Sequence, residues 1–507
     1  MLERLRIRNF KGWRDTGDIR MAPITLFFGA NNSGKSSIGQ FLLMLKQTIE
    51  SPGGKAVFCP GGQNSAMQLG SYREMVFGRD PNNKIEFECR WSLPESLKFS
   101  DPLSKQAFSG DVIGFEAKAG LTEGERHSLS LDHLKYELMA NDETTIEIGM
   151  TRKPNTQSKY EVDAQKYALT RKQGRAWPLG DPVRFYGFPD EVVAHYQNAD
   201  FAQSLNLRHE QLFRSLFYLG PLRTRAKRLY SWAGAEPEGV GYAGENTIAA
   251  ILAAHGRSIS TGFKRWSRPF QEIIARALKQ LGLIEEFRVR PISEQRQEYK
   301  VEFRAKGSGD WVDLHNAGFG ISQVLPVLVQ CFYAPRNSIV FIEHPEIYLH
   351  PKAQSALADV MIDVINSREH GKNRSIQLII ETHSEYFLRR LQRRIAEDEG
   401  GIWQEQVSAY FANASKVPAA LEALDLDEFG HILNWPKHFF GDKTDDMEKQ
   451  AKATPKKLAR EEYDKLSLDE QDEYANRINR KHFRKLAQLA EFQMEDYKKN
   501  PHKYYVW

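Results

Sequence analysis

The feature that most constrains this chain is a glycine-bracketed run, GANNSGKS, at residues 29–36. It fits the spacing G-x-x-x-x-G-K-[ST], and it stands between an apolar run that predicts a strand and a pattern that predicts a helix. Glycines let such a loop curl so that successive backbone N–H groups point inward, and the following helix adds the positive end of its dipole. The run therefore predicts a phosphate-binding loop at the opening of an α/β unit.

Each position of this loop implies a role at a bound triphosphate. Lys35 is placed to reach the β- and γ-phosphates, and the Ser36 hydroxyl is placed to ligate Mg²⁺. The predicted nucleotide-binding residues of the loop are Asn31, Asn32, Ser33, Gly34, Lys35, Ser36 and Ser37.

Two further strands are predicted at residues 338–342 and 376–380, as continuous runs of β-branched residues and leucine. Such runs are typical of parallel strands that are covered on both faces. The first run ends in Glu343, and a carboxylate at the end of a buried strand is how phosphate-loop proteins hold magnesium. The alternative is an ordinary strand followed by a helix start that favours an acid.

Several motifs carry a resemblance to a known group of ATPases. The run IEHPEIYLHP at 342–351 resembles the Walker B and D-loop of ABC-type ATPase heads, as in SMC proteins and OLD-like prokaryotic defence ATPases. The run ETHSE at 381–385 resembles their H-loop, and NAGFGISQ at 316–323 stands where their signature is expected. The runs YLGPLR at 218–223 and NWPKHFF at 434–440 resemble AAA-family ATPases that carry the DUF3696 C-terminal region.

The resemblance implies ATP as the nucleotide and a sandwich of ATP between two heads, hence a homo-oligomer that is a dimer of heads or larger. The signature residues would then face the γ-phosphate of the nucleotide that the partner subunit holds. The residues implied for this contact are Gly318, Gly320, Ser322 and Gln323. The Q-loop is expected near residues 69–74, where Gln68 is the nearest glutamine.

The chain departs from the resemblance at the catalytic position of Walker B. ABC heads carry a second carboxylate there, whereas this chain has His344 directly after Glu343. Glu343 can still organise Mg²⁺, but a histidine is a poor substitute for a carboxylate base. Glu346 takes over if the loop brings it near the attacking water; otherwise hydrolysis is slow and ATP is a long-lived ligand.

The residues implied for chemistry are therefore few. Ser36 and Glu343 are the predicted metal ligands. The predicted catalytic residues are Glu346, His344 and His383, the last as the H-loop histidine that contacts the γ-phosphate. Gly318 is a second departure, because a serine hydroxyl is common at that place in the signature, and Ser322 is the residue that could compensate.

The 507 residues are predicted to form an α/β fold, a P-loop ABC-type head with a mixed β lobe and a parallel-sheet lobe. We assign the head to residues 1–93 and 207–442. Residues 94–206 are polar and poor in predicted strands, and they predict a helical or mixed insertion. Residues 443–507 are mostly charged and predict a helical tail that docks a partner protein rather than a nucleic-acid arm.

Composition leaves the choice of partner open. The chain has 70 Lys and Arg against 66 Asp and Glu, which neither requires nor excludes nucleic acid. The basic cluster at residues 223–228 fits either a phosphate contact, to nucleotide or to DNA, or a solvated loop. Three widely spaced cysteines, the lack of a long apolar run and the charged start of the chain predict a cytoplasmic protein without a membrane span.

Too few residues follow Phe440 for a TOPRIM-type nuclease domain, so an effector would act in trans. The chain resembles the ATPase subunits of two-gene antiphage systems such as the PtuA family of Septu, whose partner is an HNH nuclease. Two hypotheses follow: an active ATPase that gates a partner nuclease, or an ATP-bound scaffold with little turnover, which His344 favours. The alternative is an SMC-like ATPase of DNA repair or chromosome handling without a nuclease, although no heptad repeat predicts a long coiled coil.

Overall fold

The computed structural model describes residues 1–436, with short gaps. The gaps are residues 54–55, 63–64, 123–127, 154–159, 175–177, 263, 294–295, 306, 308, 398–400, 415 and 417. The described residues form one compact unit. The predicted helical tail at 443–507 and its partner-docking role lie outside the described residues and stay predictions.

A mainly parallel sheet forms around the apolar runs seen in the sequence. Its strands in spatial order are β10 (Leu216–Leu219), β17 (Ile339–Glu343), β20 (Gln377–Glu381), β4 (Ile24–Gly29), β21 (Val407–Asn413) and β22 (Ala420–Ala423). All neighbours pair in parallel except β21 and β22, which are antiparallel. Every residue of β4, β17 and β20 is buried, as expected for strands covered on both faces. The two strands predicted at 338–342 and 376–380 are therefore confirmed.

A long antiparallel sheet forms a second lobe. Its strands are β2 (Trp13–Asp15), β1 (Leu2–Phe10), β5 (Ile85–Ser100), β6 (Ala107–Leu121), β7 (Leu129–Ala140), β8 (Glu143–Arg152) and β9 (Tyr160–Gln165), with β3 (Ile19–Arg20) paired to β1. The expectation that residues 94–206 are poor in strands is thus wrong. The reason is the polar outer face, where charged residues alternate with buried ones: Lys135 lies 2.9 Å from Glu137, while Leu134 and Tyr136 are buried.

Two small antiparallel sheets complete the strands of the described residues. One contains β11 (Tyr230–Ser231), β15 (Glu298–Arg304), β14 (Glu286–Pro291) and β16 (Trp311–Asp313), and the other contains β13 (Arg268–Pro269), β12 (Ser258–Ser260), β18 (Arg368–Glu369) and β19 (Lys372–Asn373). In sequence both sheets lie between β10 and β20, and neither pairs with the parallel sheet.

The helices cover the faces of the parallel sheet and fill the connections. They are α1 (Lys35–Glu50), α2 (Tyr72–Met75), α3 (Asp190–His195), α4 (Phe201–Arg214), α5 (Thr247–Ala253), α6 (Phe270–Gln280), α7 (Phe319–Tyr333), α8 (Pro351–Ile365) and α9 (Glu385–Ala396). Helix α1 packs directly on β17, because a Cβ added at Gly39 would lie 2.0 Å from the ring of Phe341. This contact fixes the phosphate loop beside the end of β17.

The predicted fold class, α/β with a mixed β lobe and a parallel-sheet lobe, is confirmed by these sheets. Among the described residues no helix is both long and apolar enough to span a bilayer. Cys59, Cys89 and Cys331 are all free thiols.

Candidate nucleotide-binding site

The phosphate loop joins β4 to α1 through a backbone that few residues can adopt. Gly29, Asn32 and Gly34 have left-handed backbone angles, with φ of 145°, 61° and 95°. A Cβ at Gly29 would lie 2.6 Å from the carbonyl oxygen of Ala412, so only glycine fits. Because Gly34 at the N-cap of α1 has no side chain, the first N–H groups of this helix stay available for an anion.

Lys35 is folded back onto this loop. Its Nζ donates hydrogen bonds to the carbonyl oxygens of Gly29, at 3.0 Å, and Ala30, at 2.8 Å. The side chain is buried, and burial lowers the pKa of the ammonium group while the charge of Glu381, 4.0 Å away, works to raise it. The cation therefore lies inside the loop, where a phosphate would replace the carbonyl oxygens as its partner.

Ser36 contacts the carboxylate of Glu381, which was not among the predicted site residues. Its hydroxyl donates a 2.8 Å hydrogen bond to Oε1 of Glu381, the last residue of β20. Glu381 is buried, and its Oε2 has no hydrogen-bond partner among the described residues. A buried, unpaired carboxylate oxygen beside a serine hydroxyl is a set of hard ligands that suits a divalent cation.

Glu343 ends the neighbouring strand β17 and accepts a 2.9 Å hydrogen bond from the hydroxyl of Tyr218. Burial, followed by repulsion from Glu381, raises the pKa of the Glu343 carboxyl. A cation placed between these carboxylates would relieve both effects. Tyr218, at the end of β10, was likewise not predicted as a site residue.

The turn after Glu343 brings the three predicted catalytic residues together. His344 Nδ1 lies 3.4 Å from Oε1 of Glu346, and the same oxygen accepts a 2.9 Å hydrogen bond from the backbone N–H of His383. The imidazoles of His344 and His383 stack with centroids 5.0 Å apart and planes 14° apart. Glu346 is buried, whereas His383 is exposed.

The pKa values of His344, Glu346 and His383 are shifted in different directions. Burial opposes the charged form of His344, but the hydrogen bond and the charge of Glu346 outweigh it and raise the pKa of the imidazole. Burial works in the opposite direction on Glu346, but its contacts with His344 and His383 outweigh burial and lower the pKa of the carboxyl. Burial lowers the pKa of His383. The contact with Glu346 therefore favours the protonated form of His344.

The signature segment forms the start of α7. Gly318 is its N-cap and is exposed, and Phe319 exposes 53% of its surface. The ring of Phe319 lies 5.4 Å from that of Tyr348, which exposes 63%. The Ser322 hydroxyl donates to the carbonyl oxygen of Phe319 at 3.0 Å, inside the helix. An aromatic surface thus borders the helix start that is predicted to face a second nucleotide.

Gln323 was predicted to contact the partner's nucleotide and Arg223 to contact a phosphate or lie in a solvated loop, but both side chains are buried. Gln323 is buried, and its amide donates to the carbonyl oxygen of Arg223 at 3.4 Å. Arg223 is buried too and bonds to the backbone of the Glu343 turn, so neither a solvated loop nor a phosphate contact describes it. Arg225 and Arg228 are exposed. The amide of Gln68, the Q-loop candidate, donates to Gly62 within its own loop at 3.0 Å.

The residues present fit Mg²⁺ together with a nucleotide rather than a metal alone. No group of three or more histidine, cysteine or acidic side chains in the described ranges is arranged to hold a metal ion by itself. Mg²⁺ in nucleotide sites takes one or two carboxylates and fills its remaining positions with phosphate oxygens and water. Ser36 with Glu343 and Glu381 provides such a partial set, at the end of the loop that would hold the phosphates.

Comparisons with known families agree with this geometry. The family model described as "AAA ATPase domain" matches residues 1–169, and "AAA domain, putative AbiEii toxin, Type IV TA system" matches residues 189–389. The model "Protein of unknown function (DUF3696)" matches residues 402–450. A search of curated proteins finds no match.

The solved structures that are similar to this chain include three SMC heads. The SMC head domain from Thermotoga maritima is 12% identical with a TM-score of 0.37, and covers 84% of this chain and 99% of its own. An SmcHead bound to the C-winged helix domain of ScpA is 12% identical, with a TM-score of 0.39 and coverage of 84% and 98%. An Smc head with an extended coiled coil, bound to the C-terminal domain of ScpA from Pyrococcus furiosus, is 10% identical, with a TM-score of 0.38 and coverage of 84% and 96%. These values describe a remote likeness.

The phosphate loop with its carboxylates and the two AAA matches, over residues 1–169 and 189–389, together support an ATPase of the AAA type. The residues at 434–440 predicted a likeness to the DUF3696 region, and the model of that name matches residues 402–450.

Proposed function

We propose that this chain is an ABC/SMC-like ATPase subunit that binds Mg-ATP between two copies of itself and so controls a nuclease in trans, in prokaryotic antiphage defence. The observation that carries the nucleotide part is the contact of Ser36, at the start of α1, with the buried carboxylate of Glu381. Together with the inward lysine of the loop, this arrangement offers both the cationic and the hard-oxygen groups that a Mg-triphosphate needs.

The residues of the loop bind and orient the nucleotide. The first N–H groups of α1 donate to the phosphate oxygens, and Lys35 exchanges the carbonyl oxygens of Gly29 and Ala30 for phosphate oxygens. Ser36 and Glu343 would hold a magnesium ion, which would neutralise part of the phosphate charge. Asn31 and Asn32 are exposed at the rim of the loop, where a second subunit could cover the nucleotide.

The second subunit is proposed to contribute the start of its α7. Gly318 is exposed there and a Cβ added to it would meet nothing within 4 Å, so the backbone N–H groups of the helix start are open to an anion. The neighbouring aromatic rings of Phe319 and Tyr348 supply apolar area of the kind that protein interfaces bury.

Hydrolysis is proposed to be slow. Glu346 is buried, and its Oε1 is engaged by His344 and by the backbone of His383, whereas its Oε2 has no hydrogen-bond partner among the described residues. We propose that its main role is to orient the histidine. His344 then stands at the position that a carboxylate base occupies in ABC heads. Removal of the water's proton is therefore the step that this site performs poorly, and ATP is held longer than it is turned over.

The defence role is the part that rests most on family likeness. The family model over residues 189–389 carries the words "putative AbiEii toxin, Type IV TA system" in its description. The PtuA subunit of Septu, whose partner is an HNH nuclease, is the specific relative we propose, and residues 443–507 are the segment we propose to dock that partner. A neighbouring gene for a nuclease is the feature that this proposal requires.

The experiment uses the full chain, alone and co-expressed with the product of the neighbouring open reading frame. Calorimetry should detect ATP binding that requires Mg²⁺ and that Lys35→Ala abolishes, and light scattering should show ATP-dependent association. The co-expressed pair should cleave DNA in a nucleotide-dependent way. Absence of ATP binding in the wild type would overturn the nucleotide proposal, and a neighbouring protein without nuclease activity would overturn the defence proposal alone.

A further inference from the structure

A buried arginine holds the backbone of the turn that carries His344. Arg223 lies in the loop after β10 and exposes 7% of its surface. Its Nη2 donates to the carbonyl oxygen of Glu343 at 2.7 Å, and its Nη1 donates to that of His344 at 3.3 Å. Burial lowers the pKa of the guanidinium to about 10, so it remains a cation at neutral pH. These are charge-assisted hydrogen bonds inside the protein, which are stronger than neutral ones.

The turn that Arg223 holds has an unfavourable backbone conformation. His344 has a φ of 45°, a left-handed value that a residue with a side chain seldom adopts. Its N–H donates to the carbonyl oxygen of Glu381 at 2.8 Å, so the peptide is fixed by β20 on one side and by Arg223 on the other. Such a conformation persists only where the surroundings determine it, and here the guanidinium bonds the carbonyl groups of both Glu343 and His344.

The same arginine is bound from the other side by the signature helix. Gln323 lies on α7, one turn after Gly320, and exposes 5% of its surface. Its Nε2 donates to the carbonyl oxygen of Arg223 at 3.4 Å. A continuous path of two side chains therefore runs from the helix start that would face the partner's nucleotide to the turn that shapes this subunit's own site.

We propose that Arg223 and Gln323 are positioning residues that make the geometry of the Glu343–His344 turn depend on the position of α7. When the start of α7 engages the nucleotide of the second subunit, Gln323 moves the backbone of Arg223, and the guanidinium moves the two carbonyl groups. Assembly at one nucleotide thereby sets the geometry at the other. This inference rests on the proposed function, because it needs two heads that share nucleotides.

The test compares Arg223→Lys and Gln323→Met with the double variant. Lysine keeps the charge but cannot bond both carbonyl groups at once, and methionine keeps the length of glutamine but donates no hydrogen bond. Arg228→Lys, an exposed arginine of the same cluster, is the matched control. The first readout is hydrogen exchange of the segment 343–349 with and without Mg-ATP, and the second is steady-state ATP hydrolysis, which gives kcat and KM.

In the wild type and in Arg228→Lys, ATP-dependent association should slow exchange in this segment. Arg223→Lys and Gln323→Met should each keep an unchanged KM for ATP and still associate. Each should nevertheless lose the slowing of exchange and hydrolyse ATP about tenfold or more slowly. The double variant should be no worse than the poorer single one, because residues that act in series are not additive.

The proposed coupling through Arg223 and Gln323 would be overturned if both single variants slowed hydrogen exchange as the wild type does, or if their effects added in the double variant. If Arg223→Lys fails to fold, Gln323→Met alone decides the outcome. A wild type that neither binds ATP nor associates would instead overturn the proposed function, so the two failures are distinguishable.

Discussion

The Ser36 hydroxyl donates a hydrogen bond to Oε1 of Glu381, 2.8 Å away, and so joins the first turn of α1 to the end of the adjacent strand β20. The other carboxylate oxygen of Glu381 is buried and has no partner within the described part of the chain. A serine that binds Mg²⁺ does so through a lone pair of its hydroxyl oxygen, and its hydroxyl hydrogen stays free to donate to a neighbouring carboxylate. Glu381 is therefore placed to orient that serine and to bind a water of the metal.

Glu381→Gln should weaken the Mg-dependent part of ATP affinity by about tenfold to a hundredfold, the usual effect of losing an oriented partner of a metal ligand. The reason is that an amide of the same shape keeps the packing but removes the negative charge. Titration calorimetry with ATP in Mg²⁺ and in EDTA measures the difference. Glu272→Gln, which makes the same change on the exposed surface of α6, should leave both affinities unchanged; equal loss with and without Mg²⁺ would refute the role of Glu381.

His344→Glu should raise the rate of ATP hydrolysis, by about tenfold or more, because it places a carboxylate base directly after Glu343. His344→Gln, of similar size but without a basic group, should not raise it. Phosphate release under saturating Mg-ATP measures both variants. A His344→Glu protein that binds ATP but hydrolyses it no faster than the wild type would show that the histidine is not what limits turnover.

Phe319→Ala combined with Tyr348→Ala should weaken ATP-dependent association about tenfold, because the two exposed rings border the start of α7. Trp266→Ala is the control, since Trp266 exposes 87% of its surface on the loop before α6 and is not part of the proposed interface. Sedimentation with and without Mg-ATP measures association. An equal effect of the control would mean that apolar exposure in general, rather than this surface, drives assembly.

Stability should fall as the pH drops from about 6.5 toward 3, in part because of His209. Its ring is fully buried, stacks on Tyr186 and lies 3.1 Å from the hydroxyl of Tyr136, and burial lowers the pKa of the imidazole to about 3. Within that window the unfolded chain binds a proton that the folded chain excludes, so stability rises with pH. Above about 6.5 both states are neutral and the effect vanishes.

His209→Phe should make the free energy of unfolding less dependent on pH between about 7.5 and 5, by about 1–2 kcal/mol. Tyr136 keeps a partner in this variant, because its hydroxyl also donates to the carbonyl oxygen of Tyr186 at 2.8 Å. Urea unfolding at both pH values gives the measurement. An unchanged pH dependence would assign it to other groups.

The sequence predicted the parts of the fold that a strong local pattern specifies. The phosphate loop at 29–36 and the buried strands ending at Glu343 and Glu381 follow from glycine spacing and apolar runs. Glu381 itself was missed although the same signal, a buried strand that ends in a carboxylate, had singled out Glu343. Residues 94–206 were expected to be poor in strands because an ion-paired outer face has the composition of a solvated segment.

Arg223 could not have been found by the same reasoning. A basic cluster in a loop predicts exposed charge, and only the three-dimensional structure shows that one of its members is buried against carbonyl groups more than a hundred residues away in sequence. Long-range contacts to backbone atoms leave no pattern in the sequence, since every residue type supplies the same carbonyl group. For the same reason the contact between Glu346 and the N–H of His383 was not predicted.

The most direct measurement of the central claim mixes two defective variants. Lys35→Ala removes the lysine of the loop, and Gly318→Asp adds a negative charge where a Cβ meets nothing within 4 Å, so that chain folds but repels a phosphate at the start of α7. Each variant alone should fail to associate with Mg-ATP. Their mixture should form a heterodimer with one intact site, built from Lys35 of one chain and Gly318 of the other, and retain one ATP per dimer in light scattering with nucleotide analysis. A mixture that stays monomeric and empty while the wild type associates would contradict a nucleotide shared between two copies.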